Sequence, residues 1–497
     1  MENSNSRSSN KKAVLRDRLF VDAEFVTTEM LEAFEIKINV GKDPLSGEDI
    51  LHTLNHYEQI ELTRDQTLYA FNRGDLSKIE KIFHDFEILD ERVSEPMQAN
   101  LKIKFPEGMS WRDYQPDAID TISSLDYGIL QAPPRSGKTL MLCASVCMER
   151  QKTLIFAHQT DLLEQMFETF EKFTNLKDIR TGGNPVVGFA KSIDDFDRLD
   201  VALCTKQTFD NSKNFSKMKV VQKMFGYLIV DEAHFVGAEI YSKLINRFWA
   251  KKRQGCSATP KRKDQLDVVI DGVLGPPVHI ITPEQTKQVP MKVKIHNTGV
   301  NLKAGMWPRY LTDLSKIESR NNLITHWVHH DVQNGHTVIV VTDRKDHAKT
   351  LQLLLKEKGI VSTLFTGDLT SRDRRLAVLN SVRSGEIKVL IAMRSMTTGL
   401  DIPIASHFHN TLPSANAVSG GEYEGSGGYE QQCTRVLTDF PGKVEGVVRD
   451  YQDFSPIAFG CMKQREKTYA KLKAEVTKEK AVTKEIKRED SQDSTTF

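Results

Sequence analysis

The stretch YGILQAPPRSGKTLML, residues 127–142, decides how the rest of the chain is interpreted. It begins with an apolar run from Tyr127 to Gln131, which is typical of a buried strand. A turn of small residues and prolines follows, and Lys138 and Thr139 then open an apolar helix. Because the backbone N–H groups at a helix start carry partial positive charge, this stretch predicts a cradle for a polyphosphate.

Each residue of this cradle has an expected role. Lys138 is expected to reach the β and γ oxygens of the polyphosphate, and the Thr139 hydroxyl is expected to hold Mg²⁺. Ala132 stands where the full G-x-x-x-x-G-K-[ST] pattern has its first glycine, and alanine is small enough to keep the turn. The predicted nucleotide-contacting residues of the turn are Ala132, Pro133, Pro134, Arg135, Ser136, Gly137, Lys138 and Thr139.

A second motif completes the predicted site. The run FGYLIV at 225–230 predicts another buried strand, and it ends in Asp231, Glu232, Ala233 and His234. A carboxylate at the end of a core strand is unfavourable unless it faces a cleft that holds a cation. Asp231 is therefore predicted to bind Mg²⁺ together with Thr139, and Glu232 to polarise the attacking water.

Length and composition predict a globular chain of about three domains, because 497 residues with 39% hydrophobic content can build several cores. No apolar run approaches the roughly 20 residues that span a bilayer, and the polar N-terminus does not resemble a secretory signal. A soluble, cytoplasmic protein without membrane contact is expected. The six cysteines contain no C-x-x-C pair, so reduced structural thiols are favoured over zinc ligands.

Charge is unevenly distributed although the net charge is only +1. Residues 1–100 contain 12 basic and 20 acidic side chains, whereas the remaining residues contain 56 basic and 47 acidic ones. A polyanion such as a nucleic acid would therefore be attracted to the part of the chain that contains the cradle.

The segments before the cradle predict a tail and a small domain. Residues 1–12 are rich in serine and asparagine and are predicted to be disordered. Residues 13–105 predict an accessory mixed α+β domain, which is either a packing appendage or a substrate-selecting domain. Its predicted elements are strands near 34–40 and 59–62 and helices near 64–72 and 76–85.

The phrase WRDYQ at 111–115 lies shortly before the cradle. An aromatic ring, the guanidinium of Arg112 and the amide of Gln115 suit stacking on a purine and reading its hydrogen-bonding edge. An ordinary helix start with an aromatic anchor is the alternative. Beside a phosphate cradle, adenine recognition is favoured.

Residues 106–290 alternate between strand and helix patterns, which predicts a doubly wound parallel sheet. Polar residues past the carboxyl ends of such strands mark the ligand face of the sheet. The residues that follow strand patterns in this way are His158, Thr205, Gln207, Ser257 and Thr259.

Residues 291–462 predict a second α/β lobe, with buried strands at 338–342, 361–365 and 388–392 and no cradle of its own. This lobe contains TTGLDIP at 397–403 and QQCTRVL at 431–437. An arginine of one lobe can stabilise charge on a phosphoryl group held by another lobe, provided that the lobes close.

The C-terminal residues 463–497 contain 10 basic and 7 acidic side chains, and a solvated helix with a frayed end is favoured over a DNA-binding arm. The imidazole pairs His329–His330 and His407/His409 lack metal-ligand spacing and are expected to be structural.

The order of these motifs over roughly 111–469 resembles the superfamily 2 helicases of the DEAH-box type. Within them, the layout is similar to the phage UvsW-like and RecG-like helicases that remodel branched DNA. The resemblance implies two RecA-like lobes, with ATP and Mg²⁺ as ligands. It implies catalytic roles for Lys138, Asp231, Glu232, Gln431 and Arg435, nucleotide contacts by Arg112, Gln115, Gly399 and Asp401, coupling by His234, Ser257 and Thr259, and DNA backbone contacts by His158, Thr205 and Gln207.

Three positions depart from the pattern of that family. Thr434 replaces a usual glycine, Thr438 replaces a frequent second arginine, and Met393 replaces a frequent threonine. The arginine finger is therefore expected to depend on Arg435 alone.

The expected function is an ATP-dependent, monomeric DNA helicase or translocase acting on forked or branched DNA in recombination, replication or repair. Three alternatives stay open: a DEAH-type RNA helicase, a duplex translocase that never separates strands, and an ATP-gated nucleic-acid clamp. No residue visibly reads a 2′-hydroxyl, no nuclease segment is evident, and the intact catalytic set argues against a clamp.

Overall fold

The computed structural model divides the chain into two compact units, Met1–Thr286 and Lys287–Phe497. The first unit contains the N-terminal domain and the first lobe, and the second contains the other lobe. The structure describes residues 11–43, 46, 48–64, 66–179, 186–210, 217–237, 239–258, 266–286, 288–303, 305–369, 371–397, 400, 402–414 and 429–479.

The N-terminal domain is built on a mixed five-stranded sheet with the order β5-β6-β2-β1-β7, beside a separate β3-β4 hairpin. Strand β1 pairs antiparallel with β2 and parallel with β7. Its elements are β1 (Lys12–Leu15), β2 (Leu19–Asp22), α1 (Thr28–Ala33), β3 (Glu35–Lys42), β4 (Asp49–Asn55), β5 (Tyr57–Thr63), β6 (Gln66–Phe71), α2 (Leu76–Ile82) and β7 (Glu87–Asp90).

One predicted helix of this domain is wrong. The helix expected near 64–72 is the strand β6, whereas the predicted strands near 34–40 and 59–62 and the helix near 76–85 are confirmed. The strand β6 pairs antiparallel with β2 on one side and β5 on the other. Its residue Phe71 is fully buried and packs 4.7 Å from Phe34, so cross-strand pairing outweighs local helix propensity.

Buried contacts attach the N-terminal domain to the first lobe. Arg73 is 3% exposed, and its guanidinium donates to the carbonyl of Lys251 at 2.9 Å. Gly74 packs so closely on the lobe that an added Cβ would lie 2.0 Å from the carbonyl oxygen of Asp271. The domain and the lobe therefore form one packed body.

The first lobe is a seven-stranded sheet with the order β10-β11-β9-β12-β13-β8-β14, and all of its pairs are parallel. Apolar clusters lie on its two sides, as expected of a doubly wound sheet. Its elements are α3 (Gln115–Ser124), β8 (Tyr127–Gln131), α4 (Lys138–Glu149), β9 (Thr153–Ala157), α5 (Thr160–Phe173), β10 (Val187–Phe189), α6 (Ile193–Arg198), β11 (Val201–Thr205), α7 (Gln207–Asp210), α8 (Met218–Val221), β12 (Tyr227–Asp231), α9 (Glu239–Ile245), β13 (Lys252–Ser257), α10 (Asp267–Leu274) and β14 (Pro277–Ile280).

The second lobe is another seven-stranded, wholly parallel sheet, with the order β17-β18-β16-β19-β20-β15-β21. The predicted fold class, two doubly wound parallel-sheet lobes with a mixed N-terminal domain, is thus confirmed. The elements of this lobe are β15 (Met291–Asn297), α11 (Trp307–Leu314), α12 (Glu318–Gln333), β16 (Thr337–Thr342), α13 (Lys345–Glu357), β17 (Ser362–Phe365), α14 (Arg372–Arg383), β18 (Val389–Met393), β19 (Ala405–Asn410), α15 (Tyr429–Cys433), β20 (Gly446–Gln452), α16 (Pro456–Lys471) and β21 (Glu475–Lys478).

The C-terminal segment differs from the expected solvated helix. Helix α16 buries one face, including Arg465 and Tyr469, which both bond the buried carboxylate of Asp450. The chain then adds β21 to the edge of the sheet, parallel to β15. A count of charges did not predict this because the buried arginine is paired inside the lobe. Residues 480–497, the predicted frayed end, lie outside the described residues.

The cysteines, helices and histidines of the described residues bear on the composition of the chain. All six cysteines are free. In that part of the chain no helix is long and apolar enough to cross a membrane, and no group of three metal-ligating side chains occurs. The buried His409 ring lies 2.9 Å from both the Asp331 carboxylate and the Tyr451 hydroxyl, which agrees with a structural role.

We predict that Gly74→Ala lowers the thermal unfolding midpoint of the protein. The new methyl group would displace the backbone of the first lobe, which costs about 1–3 kcal/mol. Differential scanning calorimetry measures the effect. The control is Gly460→Ala in α16. An added Cβ there would meet no atom within 4 Å outside the backbone of its own helix, so the midpoint should be unchanged or higher. An unchanged midpoint for Gly74→Ala would contradict the close contact of domain and lobe.

Candidate functional site

The carboxyl edge of the first-lobe sheet collects the predicted site residues in a row. The ends of neighbouring strands follow one another as Thr205 on β11, His158 just after β9, Asp231 on β12, Ser257 on β13, and Gln131 on β8 before the phosphate loop. Gln131 and Ser257 are register partners. Parallel pairing therefore aligns the loop, the acidic pair and the polar strand ends along one edge.

The loop between β8 and α4 has the backbone of a phosphate cradle. Gly137 adopts a left-handed φ of 82°, and an added Cβ would lie 2.4 Å from the amide nitrogen of Gln115. Arg135 also has a positive φ, 69°, which is unfavourable for a side chain of its size. Ala132 is fully buried, and its N–H donates to the carbonyl of Ser257 at 3.0 Å. Alanine thus fits the position of the missing glycine.

The phrase at 111–115 supports this loop directly. The Arg112 guanidinium donates to the carbonyl of Arg135 at 2.6 Å, and the Tyr114 hydroxyl donates to the carbonyl of Ser136 at 3.0 Å. The Gln115 amide donates to the same Ser136 carbonyl at 3.0 Å and accepts from the Arg112 N–H at 3.0 Å. The sequence did not predict the contact of Tyr114 with the loop. Gln115 supports the loop, and its role in adenine recognition stays a prediction.

The pKa values of Asp231, at the end of β12, and of the adjacent Glu232 shift in opposite directions. Burial and the neighbouring charge of Glu232 raise the pKa of Asp231 to about 6. Although burial opposes it, the charges of Lys138 and His234 lower the pKa of Glu232 to about 2. Glu232 has a left-handed φ of 52°, an unusual conformation that occurs preferentially at functional sites.

The residues present fit a nucleotide phosphate with Mg²⁺. The Ser136 hydroxyl is fully buried at the centre of the loop and has no hydrogen-bond partner among the residues that the structure describes. The Lys138 ammonium folds onto the carbonyl of Ala132 at 3.2 Å and acts electrostatically on both carboxylates. Asp231 is a hard oxygen donor whose buried negative charge a divalent cation would stabilise. Thr139 lies half-buried in the first turn of α4.

A stack of rings connects the acidic pair to the predicted DNA contacts. The Phe235 ring lies 3.8 Å from the His158 ring and 4.2 Å from the His234 ring, measured between centroids. His234 Nδ1 lies 3.3 Å from the Glu232 carboxylate and 3.3 Å from the Ser257 hydroxyl. Sequence reasoning missed Phe235, although its place directly after the acidic motif is a usable signal.

For the remaining predicted residues the structure gives only the position in the chain and the degree of burial, or no description. Thr205 is half-buried and Gln207 is exposed at the start of α7. The half-buried Pro133 and Pro134 belong to the phosphate loop, and Gln431 lies in α15 with its side chain outside the description. The predicted residues outside the described part of the chain are Thr259, Gly399 and Asp401.

Arg435 of the second lobe is half-buried, and its guanidinium donates to the carbonyl of Leu400. Thr434 does not adopt a positive φ, so the usual glycine is not needed for the backbone there. Thr438 is 9% exposed and its hydroxyl is buried without a hydrogen-bond partner among the described residues.

Two family models match the chain. The model for the res subunit of type III restriction enzymes matches residues 108–262, and the model for the helicase conserved C-terminal domain matches residues 316–437. The matched segments contain the phosphate loop and acidic pair in one case and QQCTRVL in the other.

Two curated relatives and a solved structure are similar to this chain. "Probable helicase D10" of Escherichia phage T5 is 25% identical over 73% of this chain and 75% of its own length. "DNA 3'-5' translocase XPB2" of Sulfurisphaera tokodaii is 24% identical over 66% of this chain and 80% of its own length. The structure of S. cerevisiae Dbp5 bound to RNA and ADP BeF3 covers 75% of this chain and 91% of its own, with TM-score 0.52 and 15% identity, and supports the fold alone.

The structure of T4 UvsW covers 94% of this chain and 99% of its own at 17% identity, but its TM-score is 0.36. A TM-score this low does not establish a common structure. The narrower resemblance to UvsW-like and RecG-like enzymes, like the DEAH subtype, stays a prediction.

We predict that Glu232→Gln lowers ATP turnover by about 10²–10⁴-fold, while ATP affinity stays close to that of the wild type. The substitution keeps the shape of the side chain but removes the charge that the lowered pKa maintains. Steady-state hydrolysis and equilibrium binding of a fluorescent ATP analogue measure the two effects. The control is Glu239→Gln on α9, an exposed glutamate that pairs with Lys243. Wild-type turnover in Glu232→Gln would contradict the assignment.

Proposed function

We propose that this protein, a nucleic-acid-stimulated ATPase of superfamily 2, moves along DNA to unwind or branch-migrate forked and branched substrates. The observation that supports the proposal is the edge of the first-lobe sheet. There the phosphate loop, the acidic pair and the predicted DNA contacts occupy successive strand ends. ATP hydrolysis and nucleic-acid binding would thus use one continuous surface.

In this proposal, Lys138 and Thr139 hold the phosphates and Mg²⁺, with Asp231 as a further Mg²⁺ partner. Bound Mg²⁺ would neutralise negative charge on the phosphates. Glu232 orients and polarises the attacking water, and its lowered pKa keeps it anionic at neutral pH. Arg435 stabilises charge that develops on the phosphoryl group, with Gln431 nearby as the resemblance implies.

We propose that His158, Thr205 and Gln207 contact the phosphate backbone of a DNA strand. The contact between the His158 and Phe235 rings supports a path from that strand to Glu232 through His234. A strand held by its phosphates is bound mainly by electrostatics, so affinity should fall steeply with salt.

The names of two of the matches favour DNA as the substrate. XPB2 is named a DNA 3'-5' translocase, and the first family model is named after a restriction-enzyme subunit. These two names also support a second candidate, a duplex translocase that does not separate strands. The two candidates differ in whether a labelled strand is released from a fork.

We further propose that the N-terminal domain selects branched substrates through its β3-β4 hairpin. The side chains of β4 are almost all exposed, including the apolar Ile50 at 43% and Leu51 at 58%. Aliphatic side chains on an exposed hairpin can pack as a wedge against the bases at a strand junction. The surrounding acidic charge disfavours general backbone binding, which suits a selective contact.

We predict that DNA stimulates ATP hydrolysis by the wild-type protein, with forked DNA stimulating most. The measurement is steady-state ATPase with Mg²⁺ and either single-stranded DNA, linear duplex, forked DNA or RNA of matching sequence. Stimulation should fall at the higher of two salt concentrations, because DNA binding releases counterions. Release of a labelled strand from the fork is measured in parallel.

The Glu232→Gln variant is the control for contaminating ATPases in that experiment. Stimulation by RNA alone would overturn the DNA assignment, and the absence of stimulation by any nucleic acid would favour a clamp. Stimulation by duplex without strand release would favour the second candidate.

We predict that the double substitution Ile50→Ser and Leu51→Ser reduces fork-stimulated ATPase but leaves stimulation by single-stranded DNA unchanged. Both side chains are exposed, so folding should tolerate the change. The matched control is Leu353→Ser, at a leucine of the second lobe that is 61% exposed. An equal loss with both DNA substrates would show that the hairpin has only a structural role.

A further inference from the structure

Arg394 occupies a buried position between two motifs of the second lobe. It directly follows β18 and begins the short 3₁₀ turn Arg394–Met396 that leads towards TTGLDIP. Only 5% of the residue is exposed. Arginine is seldom buried to this extent unless its guanidinium is fully paired, so its partners identify the role of the residue.

The guanidinium donates hydrogen bonds to three other segments of the lobe. Its Nε bonds both carboxylate oxygens of Asp343, just after β16, at 2.9 and 3.0 Å. Its Nη2 bonds Asn410 Oδ1 at 2.9 Å and the carbonyl of Leu412 at 3.1 Å, both at the end of β19. Its Nη1 bonds Gln432 Oε1 in α15 at 2.8 Å.

The bond to Gln432 fixes the orientation of that side chain. Arginine has only donors, so it must face the oxygen of the Gln432 amide and not its nitrogen. Gln432 is 1% exposed, and its amide nitrogen has no hydrogen-bond partner among the described residues. The Arg394 guanidinium is thus the group that holds the Gln432 side chain in place.

A second attachment lies at the other end of the same segment. Arg435, three positions after Gln432, donates to the carbonyl of Leu400. Between the two attachments, the Thr397 hydroxyl donates to the Arg394 carbonyl at 2.7 Å, and the Leu400 N–H donates to the Thr397 carbonyl at 3.2 Å. The stretch that contains Arg435 is therefore joined at two points to the segment that begins with Arg394.

We propose that Arg394 is a positioning residue for ATP hydrolysis, which acts by holding Gln432 and thereby the direction in which Arg435 projects. The inference rests on the proposed function, because it assumes that Arg435 stabilises charge in the reaction. A planar guanidinium that bonds three segments at once defines a fixed geometry, which a single flexible ammonium could not reproduce.

The test uses Gln432→Leu, which removes the acceptor but leaves Arg394 paired with Asp343 and Asn410. We expect the nucleic-acid-stimulated kcat to fall on the order of tenfold, because a hydrogen bond to a charged group is lost. The KM for ATP should stay within about twofold, since the phosphate loop lies in the first unit. Gln432→Glu keeps an acceptor for the guanidinium and should restore most of the kcat.

The matched control is Gln352→Leu, at a half-buried glutamine of α13 whose amide donates to the Ser362 carbonyl at 3.0 Å. Its kcat should equal that of the wild type. If Gln432→Leu does not fold, Gln432→Asn replaces it, because the shorter side chain withdraws the acceptor and leaves a polar group. Unfolding midpoints are measured for all variants.

A double substitution separates positioning from general structural damage. If Gln432 acts through Arg435, Gln432→Leu should cause little further loss of kcat in an Arg435→Lys background. Losses that multiply, or a wild-type kcat in Gln432→Leu, would overturn the inference while leaving the proposed function intact. A wild-type protein that no nucleic acid stimulates would instead overturn the proposed function.

Discussion

The burial of two adjacent carboxylates, Asp231 and Glu232, is the constraint on which the first lobe depends. Charge at the end of a buried strand is unfavourable unless neighbouring groups compensate it. Lys138 from the phosphate loop and His234 supply that compensation on the protein side, and the raised pKa of Asp231 shows that it is incomplete. The negative charge that remains uncompensated makes this edge of the sheet suitable for binding a divalent cation.

In the second lobe, buried charges are paired with opposite charges inside the core. The interior strand β20 carries Arg449 and Asp450 within a run of six buried residues. Arg449 bonds Asp331 of α12, while Asp450 accepts from Arg465 of α16 at 2.7 Å. Each pair ties a covering helix to the same strand, because breaking one pair would leave an uncompensated buried charge. These contacts hold helices α12 and α16 against the sheet of the second lobe.

The sequence was sufficient for elements in which one force dominates. Strands β8, β9 and β12 are mostly apolar, and a polar residue stands at or directly after the carboxyl end of each, so both their position and their functional edge could be predicted. The strand at Gln66–Phe71 could not be predicted, since only pairing with both neighbours makes it a strand. Strand β20 was hidden by its charges, whose partners are distant in sequence. Arg394 gave no signal for the same reason, because its acceptors come from three separate segments.

The attachment of the N-terminal domain limits how that domain can contribute to function. Strand β13 touches the domain at one end, where Arg253 donates to the Asp17 carbonyl at 3.4 Å, and the candidate site at the other end, through Ser257. A strand of six residues thus connects the two. Because Arg73 is buried in the same contact, a hinge motion would have to break the hydrogen bond from its buried guanidinium to the Lys251 carbonyl. Any substrate selection by this domain would therefore work by holding a surface at a fixed distance from the candidate site, and not by a movement of its own.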